Sequence, residues 1–348
     1  MKKTLLSFLL GLTIALCLSA FAGESPWHIL VILFRSAFGS NYDLGLTLFY
    51  TTPLIFCGLS VAWAFRAGLF NIGAEGQLTM ASLSIAWFGV WAKDLSPFLS
   101  LSIGLILPML IGGFWGFIAG WMKAKRQAHE VIVTMMLNFI AAGISSYVVL
   151  NLIANPNSQN PESILLDSKF LFRSFDPIAH LFPDSPVSFA LVLAILFAIL
   201  SWIIFNHTVF GYRLKMVGLN LAASERAGIS ANKMQILAMT LAGCLAGGVA
   251  WAEILGSAGQ FKIGFSPDFG FIGIAVALMA QNNPLGILAT AFLMGALHKG
   301  ATDLDMETTT MTRDFSKVLQ ALIVLFVSAP FLLDRIGSIL KKSKKENL

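Results

Sequence analysis

The sequence predicts an all-α fold, a polytopic transmembrane helical bundle of about ten spans with both termini on the cytoplasmic side. Three observations carry this expectation. Hydrophobic residues make up 57% of the 348 positions and charged residues 12%, whereas soluble domains carry about 25% charged residues. The apolar runs are long and repeated, and none shows the alternating strands of about ten residues expected of a transmembrane barrel. The basic residues fall between the runs, fifteen of the 23 Lys and Arg on the predicted inside and eight outside, with acidic residues mostly outside, as the positive-inside rule requires. The net charge of +5 therefore reports membrane topology and does not point to nucleic acid. Residues 1–348 read as a single transmembrane domain. Cys17, Cys57 and Cys244 lie inside apolar runs, so they imply no disulfide framework.

Lys2 and Lys3 precede the first apolar run, Leu5 to Phe21. It reads as an uncleaved span; Ala20-Phe21-Ala22 followed by Gly23 and Glu24 supports the competing reading, a cleaved signal peptide. Trp27 to Phe38 is amphipathic and is expected at the outer interface. Leu46 to Phe65 forms the second span, stopped by Arg66. The third runs to about Trp91 after the glycine-rich stretch Gly68–Gln77. Pro97 to Trp121 ends in Lys123, Lys125 and Arg126, and Val131 to Leu152 returns outward. Residues 153–187 are polar and proline-bearing, an external loop with little regular structure. Val187 to Phe205 and Met234 to Leu255 are the next spans. Phe269 to Ala280 and Leu285 to Leu297 are each too short to cross upright, so they are spans extended by their flanks or a buried helix pair. Leu319 to Ile336 is the last span, followed by Lys341, Lys342, Lys344 and Lys345.

The longest polar interval on the predicted inside is Asn206 to Lys233. Asn220 is a good N-cap, because its side chain accepts a free N–H of the first turn. Leu221 to Ala227 is helical with small residues at Ala222, Ala223 and Ala227, and Gly228 suits the left-handed position that ends a helix. Glu225 and Arg226 add charge. So short a helix cannot bury itself. It needs a groove, in this chain or in another, or it lies on the membrane surface.

Polar groups in hydrocarbon are costly, and those present tend to face a cavity, a pathway or a partner helix. Glu75 is the clearest, flanked by Asn71 and Gln77, with Gly68, Gly73 and Gly76 permitting a helix break that would present free N–H groups to a solute. The competing reading pairs Glu75 with a basic group at the cytoplasmic interface. Asn138, Ser145 and Ser146 are further pathway candidates, or else interhelical hydrogen bonders. Glu253 and Gln260 read as outer-interface residues. Gly243, Gly247 and Gly248 form a small face for tight helix packing. The sequence contains no G-x-x-x-x-G-K-[ST] loop, no clustered His/Cys metal pattern, and no H-E-x-x-H or G-x-S-x-G motif, so nothing supports an enzyme.

Four stretches together resemble one family. PLIFCGLSVAWAFRAGLFNIGAEGQ (53–77), HEVIVTMMLNFIA (129–141), GYRLKMVGLNLAASERAGI (211–229) and GFIGIAVALMAQNNPLG (270–286) are similar to the nucleoside and simple-sugar branch of ABC-transporter permeases, within the branched-chain amino acid/ribose-type permease superfamily. His129 stands where relatives usually have Asn, and Ile272 where they often have a small polar or acidic residue. The resemblance implies a permease subunit of the bacterial cytoplasmic (inner) membrane. It would pair with a second related permease, a heterodimer, and receive solute from a periplasmic or lipoprotein binding protein. A cytoplasmic ABC ATPase would use the ATP, and this chain would hold no cofactor or metal. Purine nucleosides are the first solute class it suggests and simple sugars the second. Asn71, Glu75, Gln77, Asn138 and Ser145 would be pathway candidates. Asn220, Leu221, Ala222, Ala223, Glu225, Arg226 and Gly228 would contact the ATPase, with alternating access as the mechanism. Two other classes fit the residues alone: an ion-driven secondary transporter using Glu75, and a non-transporting scaffold.

Overall fold

The computed structural model describes residues 2–21, 23–92, 95–172 and 181–308, with isolated positions at 178, 318, 321, 322 and 325. The predicted last span, Leu319 to Ile336, and the lysines that follow it lie essentially outside the described residues. Helices dominate: α1 (Lys2–Phe21), α2 (Pro26–Phe38), α3 (Asn41–Arg66), α4 (Ala74–Trp91), α5 (Pro97–Arg126), α6 (Glu130–Asn151), α7 (Ala190–His207), α8 (Val209–Leu219), α9 (Leu221–Arg226), α10 (Ala231–Gly247), α11 (Phe269–Met279) and α12 (Pro284–Glu307). A π-helical turn, Trp251–Ala258, continues the α10 span. Among the described residues six spans are long and apolar enough to cross a membrane: α3, α5, α6, α7, Ala231–Ala258 and α12. Of the two readings open for the short runs, extension by a flank holds for the second: Leu285 to Leu297 is part of a 24-residue helix, long enough to cross because Pro284 starts it and it carries on through His298–Glu307, while α11 stays at 11 residues.

The chain divides into two compact units, Met1–Thr47 with Ala296–Leu348, and Leu48–Gly295. In the first, Lys299 is buried at 5% exposure and pairs with Asp303 and, at 3.5 Å, with Asp43. Two carboxylates compensate one buried ammonium, as a buried charge requires. Thr47 Oγ1 donates to the Ala37 carbonyl across the α2–α3 turn.

The second unit holds the remaining helices, and its tightest seam is α5 against α10. Gly104, Pro108, Gly112, Gly116 and Gly120 recur every fourth residue along α5, so they share one face. A Cβ at Gly112 would overlap the Gly243 carbonyl oxygen, and one at Gly116 the Met239 carbonyl oxygen. Reciprocally, Gly243 lies on the Gly112 carbonyl and Gly247 on that of Pro108. The small face expected at Gly243 and Gly247 thus packs on a matching glycine ridge, the close backbone approach by which helices associate in lipid. Helix α11 doubles back on α12, with the Thr290 hydroxyl donating to the Val276 carbonyl. Gln281 and Asn282, both left-handed (φ 52 and 56), make the turn.

Among its described residues the loop 153–187 has little regular structure beyond a short 3-10 turn, Ser168–Phe170, but its main chain is tied down. Ser163 N–H donates to Phe261 O (2.8 Å), Leu166 N–H to Gly259 O (2.8 Å) and Ile263 N–H to Pro161 O (3.0 Å). Gln260, expected at a plain interface, donates from Nε2 to Glu162 at 2.9 Å.

Candidate functional site

The polar stretch 206–233 folds into two helices, where the sequence alone suggested one. Thr208 Oγ1 accepts from Gly211 N–H and starts α8. Asn220 Oδ1 accepts from Ala223 N–H at 3.0 Å and starts α9. At the other end Gly228 takes φ +79, and Ile229 N–H returns to Ser224 O at 2.9 Å, the closure of a Schellman C-cap. Of α9 only Ser224 is buried. Leu221, Ala222, Ala223, Glu225, Arg226 and Gly228 are exposed, and Leu219 beside them is 67% exposed. The helix presents small and apolar groups outward and finds no groove among the described residues.

Around the start of α4 the structure brings four of the five pathway candidates together. The chain leaves α3 after Arg66, stays non-helical through Gly73, and resumes as α4 at Ala74. The break is real, and its polar groups are paired internally. Asn71 Nδ2 donates to Gln77 Oε1 (3.0 Å) and Ser60 Oγ (3.2 Å). Gln77 Nε2 donates back to Asn71 Oδ1 (3.2 Å), which also accepts Gly73 N–H (3.0 Å). This reciprocal amide pair is fully buried. Asn138 reaches over from α6, donating to Ile72 O (3.0 Å) and accepting from Gly76 N–H (2.8 Å). Asn138 therefore completes backbone groups that the break would leave open.

Among the described residues no basic side chain pairs with Glu75. Its Oε2 accepts Gly270 N–H at 2.7 Å, in the first turn of α11, where Ser266 Oγ accepts from Phe269 N–H at 3.1 Å. A Cβ at Gly270 would lie 2.7 Å from the Glu75 Cα, so the two helix starts abut. Gly89, further along α4, meets Leu166 of the predicted outer loop, which places Glu75 about 21 Å inward from that end at 1.5 Å per residue. Ser145 stands apart, bonding the Ala142 carbonyl of its own helix at 3.0 Å.

Sequence reasoning missed Ser60 and Gly270 as partners of this knot; Ser60 lies inside the apolar run of α3, 11 residues before Asn71, and Gly270 lies 195 residues beyond Glu75. It also placed Glu253 at the outer interface. The structure buries that side chain, at 9% exposure, within the π-helical turn. Among the described residues no group of three or more His, Cys, Asp or Glu is placed to hold a metal ion.

Long apolar helices, one face paired by glycines and others open to the outside, together with an internally satisfied polar break, define a multi-pass membrane protein of the helical class. The chain belongs to the family described as branched-chain amino acid transport system / permease component, whose model matches residues 44–328. A permease component is a transport subunit rather than an enzyme. The chain is 35% identical to the guanosine ABC transporter permease protein NupP of Bacillus subtilis, covering 97% of this chain and 96% of that protein. It is 36% identical to the nucleoside ABC transporter permease protein NupB of Lactococcus lactis, over 94% of this chain and 89% of the other. It is 28% identical to the glucose ABC transporter permease protein TsgB13 of Haloferax volcanii, over 85% and 78%. No solved structure matches the chain.

Proposed function

We propose that this chain is the membrane-spanning permease subunit of an ATP-binding cassette importer that carries nucleosides, with purine nucleosides favoured. The observation that carries this reading is the near full-length similarity to a guanosine permease. The similarity to a glucose permease supports simple sugars as the second solute class. ATP is used by a separate cytoplasmic ATPase, whose groove receives α9; the exposed Leu219, Leu221, Ala222 and Ala223 support that docking. Glu225 and Arg226, both exposed, add charge contacts worth about 0–1 kcal/mol each. A second, related permease completes the membrane unit. Its opposing face would cover the exposed stripe Ile132, Met136, Phe139 and Tyr147 of α6, the helix that also carries Asn138. A periplasmic or lipoprotein binding protein delivers solute at the outer side of the cytoplasmic membrane, and alternating access follows.

The roles of the break are assigned on the same basis. Asn71 and Gln77 hold the break in shape, and Asn138 ties it to α6. Glu75 and Asn138, both half-buried, are the residues of this group a solute can reach. Ser145, which bonds within its own helix, is the weakest pathway candidate. The test is ATP hydrolysis and uptake by the complete complex in vesicles with a panel of purine and pyrimidine nucleosides and hexoses. Stimulation by nucleosides supports the reading; stimulation by hexoses alone, or by neither, sinks it.

A further inference from the structure

We infer that Gly218 and Gly68 form a rigid main-chain joint through which motion of α9 reaches the polar break, an inference that rests on the coupling role proposed for residues 206–233. Helix α8 is fastened at both ends. At its start, a Cβ on Gly211 would overlap the Ile204 carbonyl oxygen and lie 2.8 Å from the Phe205 Cα, so α8 is folded directly onto the end of α7. At its finish, a Cβ on Gly218 would overlap the Arg66 carbonyl oxygen and lie 2.9 Å from the Gly68 nitrogen. Seen from the other side, a Cβ on Gly68 would lie 3.1 Å from both the Cα and the carbonyl oxygen of Gly218. Two main chains touch there without an intervening side chain. Between the two contacts Leu214 and Val217 are buried.

The ends of α3 and α7 are also joined to each other. Trp63 Nε1 donates to Ser201 Oγ at 2.9 Å. Arg66 Nη2 donates to Phe205 O at 2.9 Å, and its guanidinium sits 4.9 Å from the Phe205 ring centre. Thus α8 is a bracket spanning two helix ends that are already braced. One residue, Asn220, separates it from α9. Gly68, with φ +73, is where the chain turns out of α3, three residues before Asn71. A displacement of α9 meets no flexible side chain on this route: packed backbone has no rotamers with which to absorb it. The joint positions the break; it does not touch solute.

The test uses the complete importer in vesicles with three variants. Gly218→Ala places a methyl group into the Arg66–Gly68 backbone. Gly68→Asn keeps a residue type that tolerates positive φ and adds only the tight contact with Gly218. Gly264→Asn is the matched control, because Gly264 has the same φ of +73 with nothing within 4 Å. Gly218→Ala is expected to lower import about tenfold and Gly68→Asn by a lesser factor, while copurification with the ATPase and basal ATP hydrolysis stay within about twofold. Gly264→Asn is expected to import like the parent. If either joint variant assembles with the ATPase and imports within about twofold of the parent, the joint is refuted. Should Gly218→Ala fail to accumulate in the membrane, Gly68→Asn decides alone, its accumulation checked against Gly264→Asn. Ala223→Trp separates this inference from its premise: unchanged import and ATPase binding in that variant would sink the coupling role itself. Loss in Ala223→Trp with normal import in the joint variants would sink only the joint.

Discussion

Asn138→Ala is the perturbation that best separates a structural tie from a solute contact. In the protein Asn138 satisfies two main-chain groups of another segment, the Ile72 carbonyl at 3.0 Å and the Gly76 N–H at 2.8 Å. Alanine leaves both without that partner. Each unsatisfied buried group costs about 1–3 kcal/mol, so the variant should lose roughly 2–6 kcal/mol, taking both groups together. Ser145→Ala is the internal reference on the same helix: its hydroxyl bonds only the Ala142 carbonyl, which keeps its own helical N–H partner, and its loss should stay within about 0.5 kcal/mol. The assay is thermal unfolding of the purified protein in one detergent, run on parent and both variants. At about 2 °C per kcal/mol, Asn138→Ala should melt roughly 4–12 °C lower and Ser145→Ala within about 1 °C of the parent. Equal melting of all three, with import lost only in Asn138→Ala, would refute the structural reading and make Asn138 a solute contact alone.

Three further outcomes are expected. Glu75→Gln retains an acceptor for Gly270 N–H and should import within a few-fold of the parent, whereas Glu75→Ala opens that N–H and should destabilise by about 1–3 kcal/mol; equal loss of uptake in both, without loss of stability, would favour an ion-binding carboxylate. Ala223→Trp should abolish uptake while the protein still inserts, measured by membrane accumulation alongside transport; normal uptake with normal ATPase association would contradict docking of α9. Gly116→Val drives a branched side chain into the Met239 carbonyl and should sharply lower accumulation in the membrane, whereas Gly143→Ala on α6, with nothing within 4 Å, should accumulate normally; similar yields would contradict the α5–α10 seam.

What was legible in the sequence is what depends on neighbours along the chain. The N-cap at Asn220 and the left-handed Gly228 follow from local chemistry, and the structure has both. The helical class follows from composition and run length. The break near Gly73 was legible because three glycines and three polar residues cannot continue an apolar helix unnoticed. What was not legible is who satisfies the break. Asn138 lies 62 residues beyond Gly76 and Gly270 lies 195 beyond Glu75, and periodicity carries no information at that range. The matching glycine ridge on α5 was visible at four-residue spacing, but an apolar run with glycines reads equally as lipid-facing. Only the facing carbonyls of Gly243 and Met239 distinguish a seam from a bare surface. Glu253 misled for a related reason: its position near the end of a run suggested an interface, while the π-helical turn extends the span past it to Ala258.

The surroundings of Glu75 bear on what drives transport. A carboxylate serving a cation gradient needs other oxygen acceptors turned toward it, to replace the ion's water. Glu75 has a donor close to it: Gly270 N–H donates to its carboxylate, and it sits in the first turn of α4 against the first turn of α11, with the Asp268 carboxylate also acting on it. Each helix start carries roughly half a positive charge from its aligned peptide dipoles. That donor and those dipoles compensate the carboxylate from within the protein, and the contact joins the start of α4 to the start of α11. On the proposed reading, the energy for moving them comes from the separate ATPase and enters through the exposed α9.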